Sequence, residues 1–517
     1  MNIRKVYLGL IAILSVALFY EWTSDSRAES VADHLEAAKV ENLKPQVSDD
    51  GLYVYLENDL LKLKIAIQTG SIVESRLKEY GVENVEGSMG VRVFGSSETG
   101  SFKYYLKTGF TGQASKYVLD NYGDSFVILK STDGDLTKEF SFLPNTYEVL
   151  VKDSSDNGVG GKPFASLYRT EGRSLDLKTA VIEGGMMNNS SYQGVVISSD
   201  QDPYLSSRLR SIDEPFSVLS RSGWVSFIQK YFFAVLIGSD DYVYNYFAQP
   251  ANSGTYRMGY TVEKGEATNL VYSHSHRVFI GPKIRKDLAQ RADNLELSID
   301  MGWFWFISQP MVWFLDLINE YVNSWALSII IFTLILKLAL FPVTAKGFAS
   351  MAGMRKVGPM MKDIQDRHKN DRQKASAEVM ALYKKEGVNP LGGCLPVLAQ
   401  MPFFIGFFFA LREMVELRHA SFYWISDLSI PDPLFILPVL FGLVMVSTQK
   451  LSPAPPTSDP TQAQVMKYMP VVFSIFFFIF PAGLCLYSVV NSGFSLGQQR
   501  YLYKKTGVLG DVGSGGS

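Results

Sequence analysis

The sequence predicts a polytopic α-helical membrane protein that carries a large exported all-β domain. Charged residues make up only 19% of the 517 residues, below the roughly 25% of soluble domains, and aromatic residues reach 13%. The chain has ordinary polarity from residue 23 to about 300 and is strongly apolar from 301 to 505. Lysine and arginine are concentrated on one side of the apolar runs, which indicates how the chain crosses a membrane.

Residues 1–22 are predicted to form an uncleaved signal-anchor span. Arg4 and Lys5 precede an apolar run and keep the N-terminus cytoplasmic, so the chain after this span is exported. A cleaved signal peptide is the alternative, but no small-residue cleavage site comes after the run and Trp22 suits an interface anchor. Residues 23–50 are polar and lack periodicity, which is typical of a linker.

Residues 51–297 are predicted to be the exported β domain. Short runs alternate apolar and polar residues, as in LYVYLENDLLKLKIAI from Leu52, and clusters of Gly, Asn and Asp separate them. Such runs are typical of an antiparallel β-sandwich. From Gly281 to about Leu297 a helical period leads back toward the membrane.

No cofactor or metal ion is expected. The two cysteines, Cys394 and Cys485, lie in apolar segments, so the β domain has no disulfide framework. His274 and His276 alternate and point to one face of a strand, which is a weak indication of zinc. We interpret them as surface histidines. Lysine plus arginine (49) nearly balances aspartate plus glutamate (51), so charge gives no indication of nucleic-acid binding.

Residues 298–321 are predicted to hold an interfacial amphipathic helix. Between Met311 and Ser324, polar side chains recur at helical spacing and share one face, opposite the aromatic residues of the segment. The polar face consists of Asp316, Asn319, Glu320 and Asn323. Pro310 precedes the helix. Because one face is polar and the other apolar, an interfacial helix fits better than a span.

A five-helix membrane core is predicted at 322–505, with a short flexible tail at 506–517. Its candidate spans are Val322–Val343, Leu391–Leu411, Pro433–Thr448, Val465–Phe480 and Leu484–Gln499. The loop from Thr344 to Pro390 carries ten lysines and arginines, against two from Arg412 to Pro433. This asymmetry predicts six spans in total, with both termini cytoplasmic and the β domain outside.

The loop at 345–388 is predicted to form a cytoplasmic helical hairpin. Gly358-Pro359 suits a helix start, and residues 368–372 suit a turn. Two apolar stripes recur at helical spacing. They are Val357, Met361, Ile364 and His368, and Ala375, Val379 and Leu382. A solvated hairpin and a docking site for a partner are equally compatible with this pattern.

Lys337 lies inside the first of the five spans, in the run IIIFTLILKLALFP. A charge in hydrocarbon costs about 2.5–3.5 kcal/mol on insertion scales. Three explanations compete: the ammonium extends to the lipid headgroups (snorkelling), it pairs with a carboxylate, or it is hydrated in a cavity. Snorkelling is strained, because Lys346 lies nine residues, or about 14 Å, further along a helix. The other predicted spans contain no aspartate or glutamate, which disfavours an ion pair.

A polar, positively charged pocket around Lys337 is therefore the favoured interpretation. The spans supply uncharged polar groups that could converge on it. These are Thr333, Gln400, Ser474, Ser488, Asn491, Gln498 and Gln499. Such a pocket suits a chaperone for membrane segments, a secondary transporter or a channel, and an envelope scaffold is the structural alternative. The spans show no inverted repeat, and the chain has no Walker A motif or nucleophile elbow, so neither a transporter nor an enzyme is favoured.

The chain resembles the YidC/Oxa/Alb family of membrane protein insertases, in its Gram-negative YidC form. Four long ungapped blocks carry the resemblance, and the order of the spans agrees. The blocks are GWFWFISQP (302–310), NSWALSIIIFTLILKLALFPVT (323–344), LYKKEGVNPLGGCLPVLAQMPFF (382–404) and FPAGLCLYSVVN (480–491).

The resemblance implies an insertase that moves hydrophobic segments of newly made proteins into the bilayer through a hydrophilic groove open to cytoplasm and lipid. It implies a β-supersandwich for the exported domain and, as partners, nascent membrane proteins, lipid, the ribosome and the Sec translocon. Thr333 and Gln400 match groove positions, and Met401 and Pro402 match a substrate-contacting face. Together with Lys337, Ser488, Asn491 and Gln498, they form the expected substrate-binding site.

Lys337 occupies the position at which the bacterial family typically has an arginine. A lysine offers a point charge rather than a planar fork, so attraction for an acidic substrate flank survives but bidentate capture does not. The tail after Gln499 is short, with three basic residues, which weakens the expectation of a polybasic ribosome-binding extension.

Overall fold

The computed structural model comprises two compact units. Within the described residues, the β unit contains residues up to Asp300 together with Glu413–Val415, and the helical unit contains the other residues from Met301 onward. The structure describes residues 46–508 apart from 83, 86, 98–101, 157–160, 171–193, 253, 266–272, 369–370, 390–394, 453–467 and 469–471. The predicted signal anchor, nearly all of the predicted linker and the end of the tail lie outside the described residues, as does the start of the fourth candidate span.

The β unit consists of two antiparallel sheets, of eleven and nine strands within the described residues. The larger sheet contains β1 (Gln46–Val47), β2 (Tyr53–Glu57), β3 (Leu61–Ala66), β4 (Ser71–Gly81), β5 (Gly90–Arg92), β6 (Gly95–Ser96), β7 (Lys103–Phe110), β12 (Pro163–Thr170), β15 (Phe216–Ser220), β18 (Tyr242–Asn252) and β19 (Thr255–Gly265). The smaller sheet contains β8 (Tyr117–Gly123), β9 (Phe126–Ser131), β10 (Leu136–Phe142), β11 (Glu148–Ser155), β13 (Gly194–Ser198), β14 (Leu205–Arg208), β16 (Trp224–Ile228), β17 (Phe232–Ile237) and β20 (Ser273–Pro282).

The sandwich forms because the inward faces of the two sheets are apolar. In β3 the residues alternate, with Leu61, Leu63 and Ile65 buried and the lysines between them half-buried. Strands β16 and β17 lie inside the smaller sheet and are buried along their whole length. Tyr104 of β7 meets Phe227 of β16 edge to face at 5.7 Å between ring centroids. The predicted antiparallel β-sandwich is therefore confirmed.

The described helices succeed the strands in chain order. They are α1 (Arg285–Arg291) in the β unit and α2 (Trp305–Val322), α3 (Trp325–Ala339), α4 (Phe341–Lys356), α5 (Gly358–Arg367), α6 (Arg372–Lys385), α7 (Leu395–Glu413), α8 (Ile436–Leu451) and α9 (Ala482–Lys505). Among the described residues, none of these helices taken singly combines the length and apolarity needed to cross a bilayer. The pair α3 and α4, bent by 66°, meets that criterion together.

The break between α3 and α4 corrects the prediction of one continuous span from Val322 to Val343. Helix α3 ends at Ala339, and α4 begins at Phe341 with Pro342 in its first turn. Proline has no N–H to donate to the carbonyl four residues before it, and its ring clashes with that carbonyl. The helix therefore bends at Leu340, two residues before the proline.

Helix α2 also differs from its prediction, because it begins at Trp305 and includes Pro310. Pro310 is the sixth residue of the helix, so the helix lacks the hydrogen bond that an N–H there would donate to the carbonyl of Phe306. Ser308, Met311, Val312, Leu315 and Ile318 are buried along one stripe. The predicted amphipathic pattern is present, but the helix begins six residues before Met311.

Helices α5 and α6 pack together through the predicted stripes. A buried cluster joins Val357, Met361 and Ile364 to Val379 and Tyr383. The predicted helix start at Gly358 is confirmed. His368, the last residue of its stripe, makes a polar contact, because its Nε2 lies 2.9 Å from Oε1 of Glu378. The apolar stripes are thus used to close the hairpin on itself.

Candidate functional site

Lys337 lies near the C-terminal end of α3 and is buried, with 3% of its surface exposed. Its Nζ donates a hydrogen bond of 2.7 Å to Oγ of Ser495 on α9. Among the described residues, Lys337 takes part in no recorded ion pair. The ammonium is therefore held by a neutral hydroxyl between two helices.

The hydroxyl of Ser495 is itself oriented by the helix that carries it. It donates a hydrogen bond of 2.9 Å to the backbone carbonyl of Asn491, one turn earlier. Serine hydroxyls inside helices commonly bond this carbonyl. The hydrogen of Ser495 is used there, so its lone pairs accept from Lys337.

Gln400 joins α7 to α9, because its Nε2 donates to the hydroxyl of Tyr487 at 3.0 Å. Tyr487 is fully buried and its ring lies 4.5 Å from that of Phe407 between centroids. Phe407 in turn stacks on Phe332 of α3 at 5.3 Å. This aromatic cluster brings α3, α7 and α9 together beside Thr333, the residue next to Phe332.

The remaining predicted residues fall into two groups. Thr333 and Ser488 are buried, and each hydroxyl donates to a carbonyl of its own helix, at 2.6 Å to Ile329 and 2.8 Å to Leu484. Met401 is 47% exposed and Pro402 is half-buried. The structure joins Lys337 to α9 and Gln400 to α9, and within the described residues it records no contact that joins Met401 or Pro402 to Lys337.

Helix α9 carries buried polar atoms that have no hydrogen-bond partner within the described part of the chain. They are Oδ1 of Asn491, both amide atoms of Gln498 and Oε1 of Gln499, and Oε1 of Gln400 on α7 is a further example. Buried polar atoms in folded proteins normally have a partner. Asn491 and Gln498 are two of the residues predicted to line the groove.

Two residues of this region were missed from the sequence. Ser495 lies seven residues after Ser488, so the two share one helix face, and that spacing was a usable signal. In the sequence, Tyr487 has the pattern of an apolar core residue. Its hydroxyl is identified as a polar partner only by the contact with Gln400 in the structure.

His274 and His276 are buried in the β unit, which corrects their interpretation as surface residues. They alternate with Val278 and Ile280 along β20, a central strand of the smaller sheet, so their face points into the sandwich. No cluster of His, Cys, Asp or Glu among the described residues has the arrangement of a metal site. Burial lowers the pKa of His274 to about 2, so it is neutral near pH 7.

His276 belongs to a buried polar cluster between the sheets. Its Nε2 lies 3.2 Å from Oδ2 of Asp153, and its Nδ1 lies 3.0 Å from the hydroxyl of Tyr260. Lys138 donates to Oδ1 of Asp153 at 2.5 Å and to the hydroxyl of Thr108 at 2.6 Å. Burial raises the pKa of Asp153, but Lys138 and His276 outweigh this effect and hold it at about 2.

The chain matches family models and curated relatives over nearly its whole length. The model of the YidC periplasmic domain matches residues 53–314, and that of the 60Kd inner membrane protein matches residues 317–508. The membrane protein insertase YidC of Azotobacter vinelandii is 35% identical over 482 residues, which cover 87% of this chain and 84% of the relative. That of a Marinomonas species is 34% identical over 561 residues, covering 98% and 99%.

Two solved structures are also similar. A crystal structure of an active YidC insertase with its first transmembrane domain resolved is 19% identical, covers 97% of this chain and 100% of its own, and has a TM-score of 0.41. That of YidC from Thermotoga maritima is 15% identical, covers 88% and 98%, and has a TM-score of 0.32. The matches to the family models and to the curated relatives show that the chain belongs to the YidC family of membrane protein insertases.

Proposed function

We propose that the chain inserts newly made membrane proteins through a groove in which Lys337 attracts an acidic flank of the substrate. The observation that supports this most directly is the buried ammonium of Lys337, which has a serine hydroxyl as its partner and no recorded ion pair within the described residues. A charge kept inside a helical membrane unit without a carboxylate retains its field for an incoming group.

Polar and apolar surfaces have separate roles in this proposal. Asn491 and Gln498 offer hydrogen bonds to the polar flank of the substrate while it crosses. Met401, Phe473 and Phe476 expose between 43% and 53% of their surfaces, and they offer an apolar path for the hydrophobic segment. Transfer of that segment into lipid is favourable by about 25 cal/mol per Å² of apolar area, so no external energy source is required.

The two matched family models describe an inner membrane protein and a periplasmic domain, and we propose the corresponding topology. Six spans place both termini in the cytoplasm and the β unit in the periplasm, as the distribution of lysine and arginine predicts. The helical hairpin at 345–388 then faces the cytoplasm. The proposed partners are the ribosome at the cytoplasmic face and the Sec translocon in the membrane.

The charge of Lys337 is tested by complementing an insertase-depleted strain with Lys337→Arg, Lys337→Ala and Lys337→Glu. We expect Lys337→Arg to insert an acidic-tailed single-span substrate at the wild-type level. We expect Lys337→Glu to lower its insertion roughly tenfold, because attraction becomes repulsion in a medium of low dielectric constant. Protease protection of the translocated tail measures insertion.

Wild-type insertion by Lys337→Glu would refute the proposed attraction. Crosslinkers placed at Gln400 and Met401 distinguish the wider alternatives, because an insertase yields adducts with a nascent chain there and an envelope scaffold does not. A secondary transporter instead predicts ion-coupled uptake of a small solute by proteoliposomes that contain the protein.

A further inference from the structure

We infer that Ser495 is a positioning residue for Lys337, which holds the ammonium against α9 where an acidic substrate flank meets it. The inference rests on the proposed function and extends it from the charge to the group that fixes where the charge lies. Three features of the described residues support it: the contact itself, the orientation of the serine hydroxyl and the absence of a recorded ion pair.

A lysine needs such a partner more than an arginine does. Its ammonium is carried on four flexible carbons and has three donors that rotate freely, whereas the guanidinium is a rigid plane with a fixed fork. Lys337 is nevertheless directed to a single atom on another helix, the Oγ of Ser495, at 2.7 Å. The contact therefore restricts an otherwise mobile charge.

The hydroxyl of Ser495 accepts a hydrogen bond from Lys337 and does not donate one to it. Its hydrogen bonds the carbonyl of Asn491 at 2.9 Å, so the lone pairs remain for the ammonium. Lys337 therefore donates a hydrogen bond to Ser495, and Ser495 donates one to a backbone carbonyl of α9. A threonine reproduces this arrangement, because its hydroxyl also bonds the carbonyl one turn earlier, whereas an alanine removes it.

A hydroxyl fixes the ammonium without neutralising it. An aspartate at position 495 would hold Lys337 more strongly but would cancel its field, since an ion pair has no net charge. Ser495 accounts for one of the three N–H groups of Lys337, and the structure records no ion pair for this lysine within the residues that it describes. The ammonium thus retains donors for a substrate carboxylate.

The experiment compares two single-span substrates that differ only in the translocated flank, one with Asp and Glu and the other with Asn and Gln. The full-length protein is reconstituted into liposomes, and the ratio of acidic to neutral insertion is measured for Ser495→Ala, Ser495→Thr and Ser492→Ala. Ser492 is the matched control, since it lies on the same helix and, within the described chain, makes no recorded contact with Lys337.

We expect Ser495→Ala to lower the ratio roughly three- to tenfold, which is the range for the net contribution of one ordinary hydrogen bond. We expect Ser495→Thr to restore the ratio and Ser492→Ala to leave it unchanged. An equal loss for both substrates, an unchanged ratio in Ser495→Ala or a failure of threonine to rescue overturns the positioning role.

A parallel measurement on Lys337→Glu separates the two proposals. If Lys337→Glu abolishes the acidic preference while Ser495→Ala retains it, only the positioning role of Ser495 fails. If Lys337→Glu retains the preference, the proposed attraction itself fails, and the positioning role fails with it.

Discussion

Lys138 in the β unit and Lys337 in the helical unit are both buried, but their charges have different partners. In the β unit, Lys138 has no exposed surface and contacts a carboxylate, Asp153, together with the hydroxyl of Thr108. In the helical unit, Lys337 is 3% exposed and its recorded partner is the hydroxyl of Ser495. The first charge is compensated inside the fold, and the second is only held in position.

We interpret this difference as that between a structural charge and a charge that is available to a substrate. A buried charge that loses its only counter-charge is strongly destabilising, so Lys138 and Asp153 depend on each other. A buried charge without a counter-charge already destabilises the fold by its desolvation energy, and the fold tolerates this loss. Such a penalty is retained where the charge acts on something outside the fold, which is the role that we propose for Lys337.

The largest effect is expected in the β unit. Lys138→Met leaves Asp153 buried without its ammonium, and we expect a loss of stability of about 3–5 kcal/mol. Hydrogen exchange of strands β10 and β11 in the detergent-solubilised protein measures it. The matched control is Lys162→Met, because Lys162 pairs with Glu263 at the surface and is 55% exposed. Exchange rates in Lys138→Met that match those of this control would contradict the structural role.

Acid is expected to weaken the β unit by a smaller amount, through His274, whose ring lies 4.6 Å from that of His276. The pKa of His274 is 6.5 when unperturbed and about 2 in the fold, so below pH 6.5 the unfolded state takes up a proton that the fold excludes. Stability is complete above pH 6.5 and falls by about 1.4 kcal/mol per unit below it, or about 2 kcal/mol at pH 5. Burial also lowers the pKa of His276, which adds to the loss in the same direction.

The measurement is hydrogen exchange of β20 between pH 7 and pH 5, corrected for the intrinsic exchange rate. His274→Phe keeps the edge-to-face packing on Tyr242 and is expected to reduce the acid dependence to the part that His276 contributes. His368→Gln, in the helical hairpin, is the control and leaves β20 unchanged. An undiminished acid dependence in His274→Phe would exclude His274 as its source.

The smallest effect on stability is expected for Lys337→Met. No counter-charge is left behind, and Ser495 keeps its hydrogen bond to the carbonyl of Asn491. We expect hydrogen exchange of α3 and α9 to be unchanged or slower, by at most about 1 kcal/mol, while insertion of an acidic-tailed substrate falls several-fold. If α3 and α9 loosen as much as β10 and β11 do in Lys138→Met, Lys337 is structural and the contrast is lost.

The sequence alone was sufficient where local pattern decides the structure. The alternation in β3 and the apolar stripes of α5 and α6 predict their burial directly. Lys337 was found because a charge among leucines is conspicuous, and the missing carboxylates are visible without a fold. The bend at Leu340 was also visible in principle, because Pro342 lies inside the predicted span.

Other features depend on contacts distant in sequence. His276 and Lys138 are 138 positions apart, and the cluster that they share through Asp153 was beyond prediction, because β10 and β20 meet only through β11. Ser495 is separated from Lys337 by 158 positions. A serine in an apolar helix has no distinguishing pattern until the helix that it faces is known.

Helix α9 contacts three other elements at three heights. Tyr487 contacts α7 and Ser495 contacts α3. Nε2 of Gln499 lies 3.4 Å from Oγ of Ser452, which directly follows α8. Along a straight helix these positions are about 12 Å and 6 Å apart. Contacts at three heights thus fix α9 along about 18 Å of its length. Under the proposed function, α9 is therefore the wall of the groove that keeps its place while a substrate flank passes beside it.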